Sequence, residues 1–598
     1  MATHRPRNID SSRAAAILYG DLGTSKAYVI GLAFALAGYA SFWLIAAVGV
    51  LTILIGINYM VICRYYPNGG GVYASVRHRS KIISLIGAFF LIADFLVTAA
   101  LSALSAFQYL GVSDPVLYAA ICIGLIGILN YFGPRHSGTA ASFVTVAAIV
   151  VLTILAIFCL PHLKMAWHNI QPLKGSPVHI WQSFVGVIVA LSGIEAIANI
   201  TGIMKLNRGS TLKNPIVTRT STRAIGGVIL EVAIYTSLFA FAAAAIGNFE
   251  IKGDMVSAPG YPNVRDSMLR YLAQVFVGDA LGQSVGVAFA WTLSVVIAVL
   301  LLSAVNTAIN GLVALQYLMG SDGELPSYFQ KVNSYGVPLV ALLIATGVPV
   351  LLVLLVKNVA GLATLYAIGF VGAIATNLGA TSTDRTLDLK WQERSLMFFS
   401  FIIMLAIEIT LFIDKPNARL YALAVITIGL ILRGLSVERK ERLMEAAVGG
   451  PGLLLKREKE LKPEATISIL CPVRRVGNAL KTAIEKSSKL GVPLHILFVR
   501  EQSVISESDL QKTWENDPEA LKVREYAKKK GMEDLITFHY AISDSPVDII
   551  AAYAMRFDVG QIIIDFPKRG KWVQLLRGDT LKQLRGLLPE PVRISVIS

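Results

Sequence analysis

The residues most capable of chemistry stand where they are least expected, inside an apolar stretch near the N-terminus. It reads Tyr19-Gly20-Asp21-Leu22-Gly23-Thr24-Ser25-Lys26-Ala27-Tyr28, and an uninterrupted apolar run from Val29 to Leu36 follows. A charge at mid-membrane depth costs at least ~2.5 kcal/mol on insertion scales, so an acid there is rarely kept without a role. Gly20 and Gly23 weaken a helix just where Asp21, Thr24, Ser25 and Tyr28 supply oxygen atoms. That is the arrangement of a broken helix whose freed carbonyls coordinate a cation. The competing reading makes Asp21 an N-cap at the membrane surface, with the helix starting at Thr24 and Lys26 snorkelling to the same interface. It would leave only the residues from Tyr28 to Ala40 to cross, which is too short.

A second stretch repeats the pattern. From Val189 to Gly202 the chain places Ser192, Gly193, Glu195, Asn199 and Thr201 inside an apolar segment. Glu195 is a candidate proton carrier there, or else a buried acid bonded to neighbouring backbone. Further on the N-terminal side, Asp94, Thr98 and Ser102 recur every four residues and share one helical face. Each hydroxyl could line the same cavity or bond back to its own i−4 carbonyl. Tyr366 and Asn306 are weaker candidates in later apolar segments.

The elements that must position these groups are membrane spans. The 598 residues are 55% hydrophobic and 16% charged, with a mean hydropathy of +0.61, more apolar than an ordinary soluble chain. Helix-length apolar segments fall at about 16–38, 41–63, 82–110, 115–133, 139–160, 179–203, 224–246, 283–317, 337–356, 358–380, 395–413 and 417–434. The polar spans one and six hold corresponding positions in two five-span halves, the pointer to an inverted repeat with its site between two broken helices. Lys and Arg are roughly twice as frequent in the connections on the N-terminal side as on the other, which predicts a multi-pass protein of the cell membrane with both termini cytoplasmic. This topology accounts for most of the net charge of +15, so nucleic acid is not an expected partner, whereas membrane lipid is. Cys63, Cys122, Cys159 and Cys471 lack metal spacing and predict neither a disulfide framework nor a zinc site.

The transporter domain thus covers 1–434, and a charged, breaker-rich linker follows at 435–465. Residues 466–598 differ in kind. Strands at Ile467–Leu470, Leu494–Val499, Leu535–Tyr540 and Ile562–Asp565 alternate with helices near 477–489, 508–530 and 545–556, which argues for a parallel, doubly wound α/β domain. His495 and His539 sit within strands and read as packed residues, and no catalytic constellation appears, so an enzyme is not expected.

At this point the motifs carry a resemblance. Tyr19-Gly20-Asp21-Leu22-Gly23-Thr24-Ser25 is similar to the YGDIGTS signature in the first span of KUP/HAK potassium uptake permeases. Tyr65-Tyr66-Pro67-Asn68-Gly69-Gly70-Gly71-Val72-Tyr73 and Asp322-Gly323-Glu324-Leu325-Pro326 resemble loops of the amino acid-polyamine-organocation (APC) superfamily. Within it the chain most resembles the KimA-type potassium importers, which carry a tail similar to the universal stress proteins. The resemblance implies an α-helical LeuT-like 5+5 inverted repeat plus two spans, potassium as substrate and proton coupling. It carries potassium coordination onto Asp21 and Tyr28, with Thr98 and Ser102 as a hydroxyl pair, and Thr201, Ser192 and Tyr366 as further ligands. It also implies a homodimer through the C-terminal domain and regulation by cyclic di-AMP, with no resident cofactor. Lys26-Ala27 departs from the Pro-Leu usual in KUP permeases. Around Asp565-Phe566-Pro567-Lys568-Arg569-Gly570 and Gly578-Asp579-Thr580 the spacing departs from the ATP motif of universal stress proteins.

Chemistry also favours a cation. An amino acid permease offers backbone N–H groups to a carboxylate, which Asp21 would repel; a dehydrated monovalent cation needs oxygens. An amino acid or polyamine permease is the competing transport reading, since a cationic amine would tolerate Asp21. A membrane-anchored nucleotide sensor is the other, although an anchor needs neither twelve spans nor a buried acid.

Overall fold

The computed structural model describes residues 7–133, 137–211, 214–447, 468–502, 513–530, 535–543, 545–557, 559–565, 580–588 and 592–597, except the side chains of 137–140 and 437–447. Most of the expected linker, and the stretches 566–570 and 578–579 whose spacing departs from the ATP motif, lie outside the described residues.

Among the described residues nine helical stretches are long and apolar enough to cross a membrane, and ten if the bent pair Pro177–Gly186 and Ile188–Ile203 is one span. The first stretch, Ser11–Tyr65, has 55 residues, more than twice what a ~30 Å core requires. It is two spans in series, because the chain reverses at Gly38, where φ is +54°. Tyr39 at this turn donates its hydroxyl to the Ile246 carbonyl (3.0 Å) at one end of span seven. Met60 of span two instead reaches Gly226 at the other end. Pro115–Tyr131 is shorter but apolar; Asp114 caps it by accepting from the Leu117 N–H (3.0 Å), with Pro115 in its first turn. With these two resolved, the expected twelve segments are present.

Span one comprises helices Ser11–Leu22 and Ser25–Ala37. Its first helix begins earlier than the apolar run because Asp10 caps it, accepting from the Arg13 N–H at 2.9 Å. Span three (Lys81–Leu110) packs most extensively against spans eight (Gln283–Ser321) and ten (Val359–Ser382). Small residues permit the closest approaches: a Cβ on Gly369 of span ten would stand 2.7 Å from the backbone nitrogen of Asp94. The connection after span seven contains a hairpin of β1 (Glu250–Lys252) and β2 (Met255–Ser257) and a helix Met268–Leu281.

The C-terminal domain is the expected parallel sheet, in the order β5-β4-β3-β6-β7, with β3 Ser468–Val473, β4 Leu494–Glu501, β5 Ile536–Ser543, β6 Val559–Asp565 and β7 Arg593–Ile597. The helix Thr580–Leu587 and the edge strand β7 were not foreseen; Arg593–Ile597 is short, and only its pairing with β6 identifies it. His495 and His539 are packed residues, as expected, but packed on each other: Nδ1 of the first lies 3.2 Å from Nε2 of the second, and both rings lie against Phe557.

Burial, reinforced by the neighbouring His495 and by Arg556, lowers the His539 imidazole to about 4. A histidine depressed in the folded state is neutral there, so the unfolded chain binds the extra proton. The stabilisation is therefore complete above the ordinary value of about 6.5 and is lost as pH falls towards 4. Hydrogen exchange on the full chain should show faster opening of β4 and β5 over that window, and His539→Phe should flatten the dependence.

Candidate functional site

Span one is interrupted just after Asp21. Gly23 and Thr24 retain right-handed helical dihedrals (φ −70° and −74°), so the helix is kinked rather than unwound, which is milder than expected. The carbonyls released by the kink are already occupied. Thr24 Oγ1 donates to the Asp21 carbonyl (2.6 Å) and Ser25 Oγ to that of Leu22 (2.7 Å). Ser25 also reaches the Ala190 carbonyl of span six at 3.2 Å. Asp21 is 2% exposed, lies in the interior of the span and is not a surface N-cap.

Span six breaks more completely. After Pro177–Gly186 and a tight turn Ile188–Leu191, Ser192 is extended (φ −60°, ψ 148°), and helix resumes at Ala196–Ile200. Gly193 has φ +93°, and a Cβ there would stand 2.7 Å from the Leu22 nitrogen and 3.0 Å from Asp21 Cβ. The two breaks therefore meet backbone to backbone at the acid, and only glycine fits.

Around this junction the structure gathers most of the expected residues. Tyr28 faces Ser192 and Thr24, within electrostatic reach of Asp21 and Asp94. Tyr366 of span ten lies near Asp94, Tyr28, Asp21 and Glu195. Ser192 Oγ donates to the Val189 carbonyl (2.8 Å) and Thr98 Oγ1 to that of Asp94 (2.9 Å), so each keeps only its lone pairs for a ligand. Ser102, one turn beyond Thr98, is buried, and its hydroxyl makes no hydrogen bond among the described residues. Thr201 is placed elsewhere. Its hydroxyl donates to the carbonyls of Tyr66 (2.9 Å) and Ala198 (3.2 Å), and its own carbonyl accepts from Arg7 (3.2 Å), which joins it to the loop after span two. Asn306 is likewise structural, accepting from Asn130 of span four at 2.8 Å.

Two acids complete the cluster. Asp94 and Glu195 are 1% and 4% exposed and lie within hydrogen-bonding reach of each other. As carboxylates neither can donate, and Asp94 Oδ1 and both Glu195 oxygens have no donor among the described residues. Three buried acids thus share one region, and of the described residues no lysine or arginine is among the charges that act on Asp21 or Asp94. Among the described residues no group of three His, Cys, Asp or Glu could hold a metal ion.

Asp94 was legible on its helical face, but its pairing with Glu195 was not. Tyr59, whose buried hydroxyl faces Glu195 and Asn377, gave no signal in the sequence. Lys26 does not snorkel. It is wholly buried and paired to Glu231 of span seven (2.7 Å), with Tyr19 hydrogen-bonded to both.

A helical multi-pass membrane protein whose two interrupted spans meet at a buried acid has the architecture of a membrane carrier. The chain belongs to the amino acid permease family, whose model matches residues 9–432. Among similar proteins, the potassium transporter KimA of Bacillus subtilis (strain 168) is 24% identical over 540 residues, covering 84% of this chain and 81% of that protein. The probable potassium transport system protein Kup of Herminiimonas arsenicoxydans is 28% identical over 225 residues, or 31% of this chain and 35% of its own length. The Kup protein of Chlorobium luteolum is 26% identical over 221 residues, with 31% and 34% covered.

Proposed function

We propose that the protein imports potassium by alternating access, coupled to protons, with both termini in the cytoplasm. The observation that carries this reading is Asp21, buried where the breaks of spans one and six meet and facing no basic group. A dehydrated monovalent cation supplies the missing charge, and Tyr28, Ser192, Thr98, Ser102 and Tyr366 offer neutral oxygens around it. The names of the similar proteins agree with that substrate. A proton shared by Asp94 and Glu195 would give the two carboxyls their bond, and its loss on one side of the membrane would couple proton to potassium movement.

The tail is proposed to join two copies and to sense cyclic di-AMP. The crevice at the β3–β6 switch point is where such folds take ligands, and here Asp565 occupies it, accepting from the Ala479 N–H at 2.8 Å. Its other oxygen would lie 2.3 Å from a Cβ on Gly477. A carboxylate at that helix N-terminus opposes a phosphate there, so a nucleotide would have to bind elsewhere on the tail.

The full chain in liposomes should take up rubidium as a potassium tracer, with potassium competing and arginine and putrescine not. A protonophore added at clamped membrane potential should slow uptake. Competition by arginine or putrescine would assign the site to organic cations, and insensitivity to the protonophore would remove proton coupling.

A further inference from the structure

On the face that carries the N-terminus, away from the acidic cluster, a cavity of about 460 Å³ is lined by Ser11, Leu206, Asn207, Arg208, Arg219, Thr220 and Arg223. Its floor is held by hydrogen bonds. Asn207 Nδ2 donates to Thr220 Oγ1 (3.0 Å), and Asn207 Oδ1 accepts from the Arg219 backbone N–H (2.8 Å). Thr220 Oγ1 in turn lies 3.3 Å from the Lys205 carbonyl.

No carboxylate among the described residues lines this cavity. Among the described residues none of the three guanidinium groups meets an acid or makes a side-chain hydrogen bond. Arg219 and Arg223, one turn apart, also sit in the first two turns of span seven (Thr218–Ala243), which has no acid in its first turn. Cations at a helix N-terminus oppose its dipole. A second cavity on the same face, at His78, Arg79, Thr383, Asp384, Arg385 and Thr386, does hold a carboxylate: Asp384 pairs with His78 at 2.6 Å, Arg79 donates to the Ala380 carbonyl at 2.9 Å, and of its cations Arg385 alone meets no partner among the described residues. The general excess of basic residues on this face therefore does not explain three unpaired arginines around one cavity.

We propose that this cavity binds a phosphate anion, supplied by the headgroup of an anionic phospholipid. The anion would touch the start of span one at Ser11, the segment leaving span six at Leu206–Arg208 and the start of span seven. It would therefore tie together, at one membrane surface, the two spans whose breaks meet at Asp21 and span seven, whose Glu231 pairs with Lys26. This site adds a lipid dependence to the transport reading and stands apart from the choice of substrate.

The test is native mass spectrometry of the full chain from nanodiscs of phosphatidylcholine with phosphatidylglycerol. The variant Arg208→Gln/Arg219→Gln/Arg223→Gln should retain phosphatidylglycerol roughly a hundredfold less well than the parent, as three cations near an anionic headgroup imply. Removing equal charge elsewhere on the same face, with Lys331→Gln/Arg385→Gln/Lys390→Gln, should leave retention within about twofold of the parent if the cavity itself is the site. Equal loss in both variants would overturn the proposal. Glycerol phosphate added to phosphatidylcholine-only discs tests the other source. A thermal shift in the parent that the arginine variant lacks would keep the phosphate site but refute its assignment to lipid.

Discussion

Asp21→Asn is expected to lower potassium uptake at limiting substrate by about a thousandfold while leaving a folded protein. The amide keeps the volume and the helix, so what is lost is the charge opposite the ion. Opposite unit charges about 4 Å apart are worth about 4 kcal/mol at an effective dielectric of 20, and that converts to three orders of magnitude. The loss should appear as a raised KM, measured by rubidium uptake in liposomes with the amount of folded protein checked by gel filtration. Glu195→Gln should behave differently, since its proposed work is on the proton: uptake should lose its pH dependence with a smaller change in KM. Asp21→Asn with KM unchanged would remove the residue from the binding site, whatever the substrate. The relaxed backbone contact at Gly193 is common to both variants, because neither substitution adds an atom at the place where span six touches span one.

What could be read in advance follows the range of the physics involved. Spans are legible because the cost of exposing polar groups to lipid acts on each stretch of about 20 residues separately. Asp21 and Gly193 were visible as local violations of that rule. The contact between them is a tertiary fact, and only the absence of a Cβ at Gly193 hinted at it. Hydroxyls were hardest to judge from sequence. Thr98 was legible both as a cavity residue and as an i−4 back-bonder, and the structure makes it a back-bonder on the carbonyl of Asp94. Thr201 has the same chemistry, but the loop after span two claims it. The sheet of the tail was legible through its alternation, whereas β7 depends on a partner far away in the chain.

Lys26 shows the same limit with the largest energetic consequence. In the sequence it had a place only in the competing reading, as a cation snorkelling to the surface; in the structure it is 0% exposed and bonded to Glu231 by 2.8 and 2.7 Å contacts. Its ammonium also lies 4.6 Å from the centre of the Tyr19 ring. Removing one partner of a buried pair leaves an uncompensated charge, a loss of about 3–5 kcal/mol, whereas replacing both by neutral groups of similar volume is often close to neutral. Glu231→Gln should therefore lower the melting temperature of the purified protein sharply, because the remaining ammonium has no exposure to water. Lys26→Met should do so less, since the Glu231 side chain is 15% exposed. The double variant Lys26→Met/Glu231→Gln should recover most of the loss, giving a coupling energy of about 2–3 kcal/mol in a double-mutant cycle. Strictly additive losses would show that the pair does not act as a unit. Tyr19 and Lys26 are seven residues apart and share one side of span one, as Asp21 and Tyr28 share the other. Because the charge pair faces span seven and the acid faces span six, the double variant should also keep potassium uptake near the parent level, which separates the residues that hold span one in place from those proposed to hold the ion.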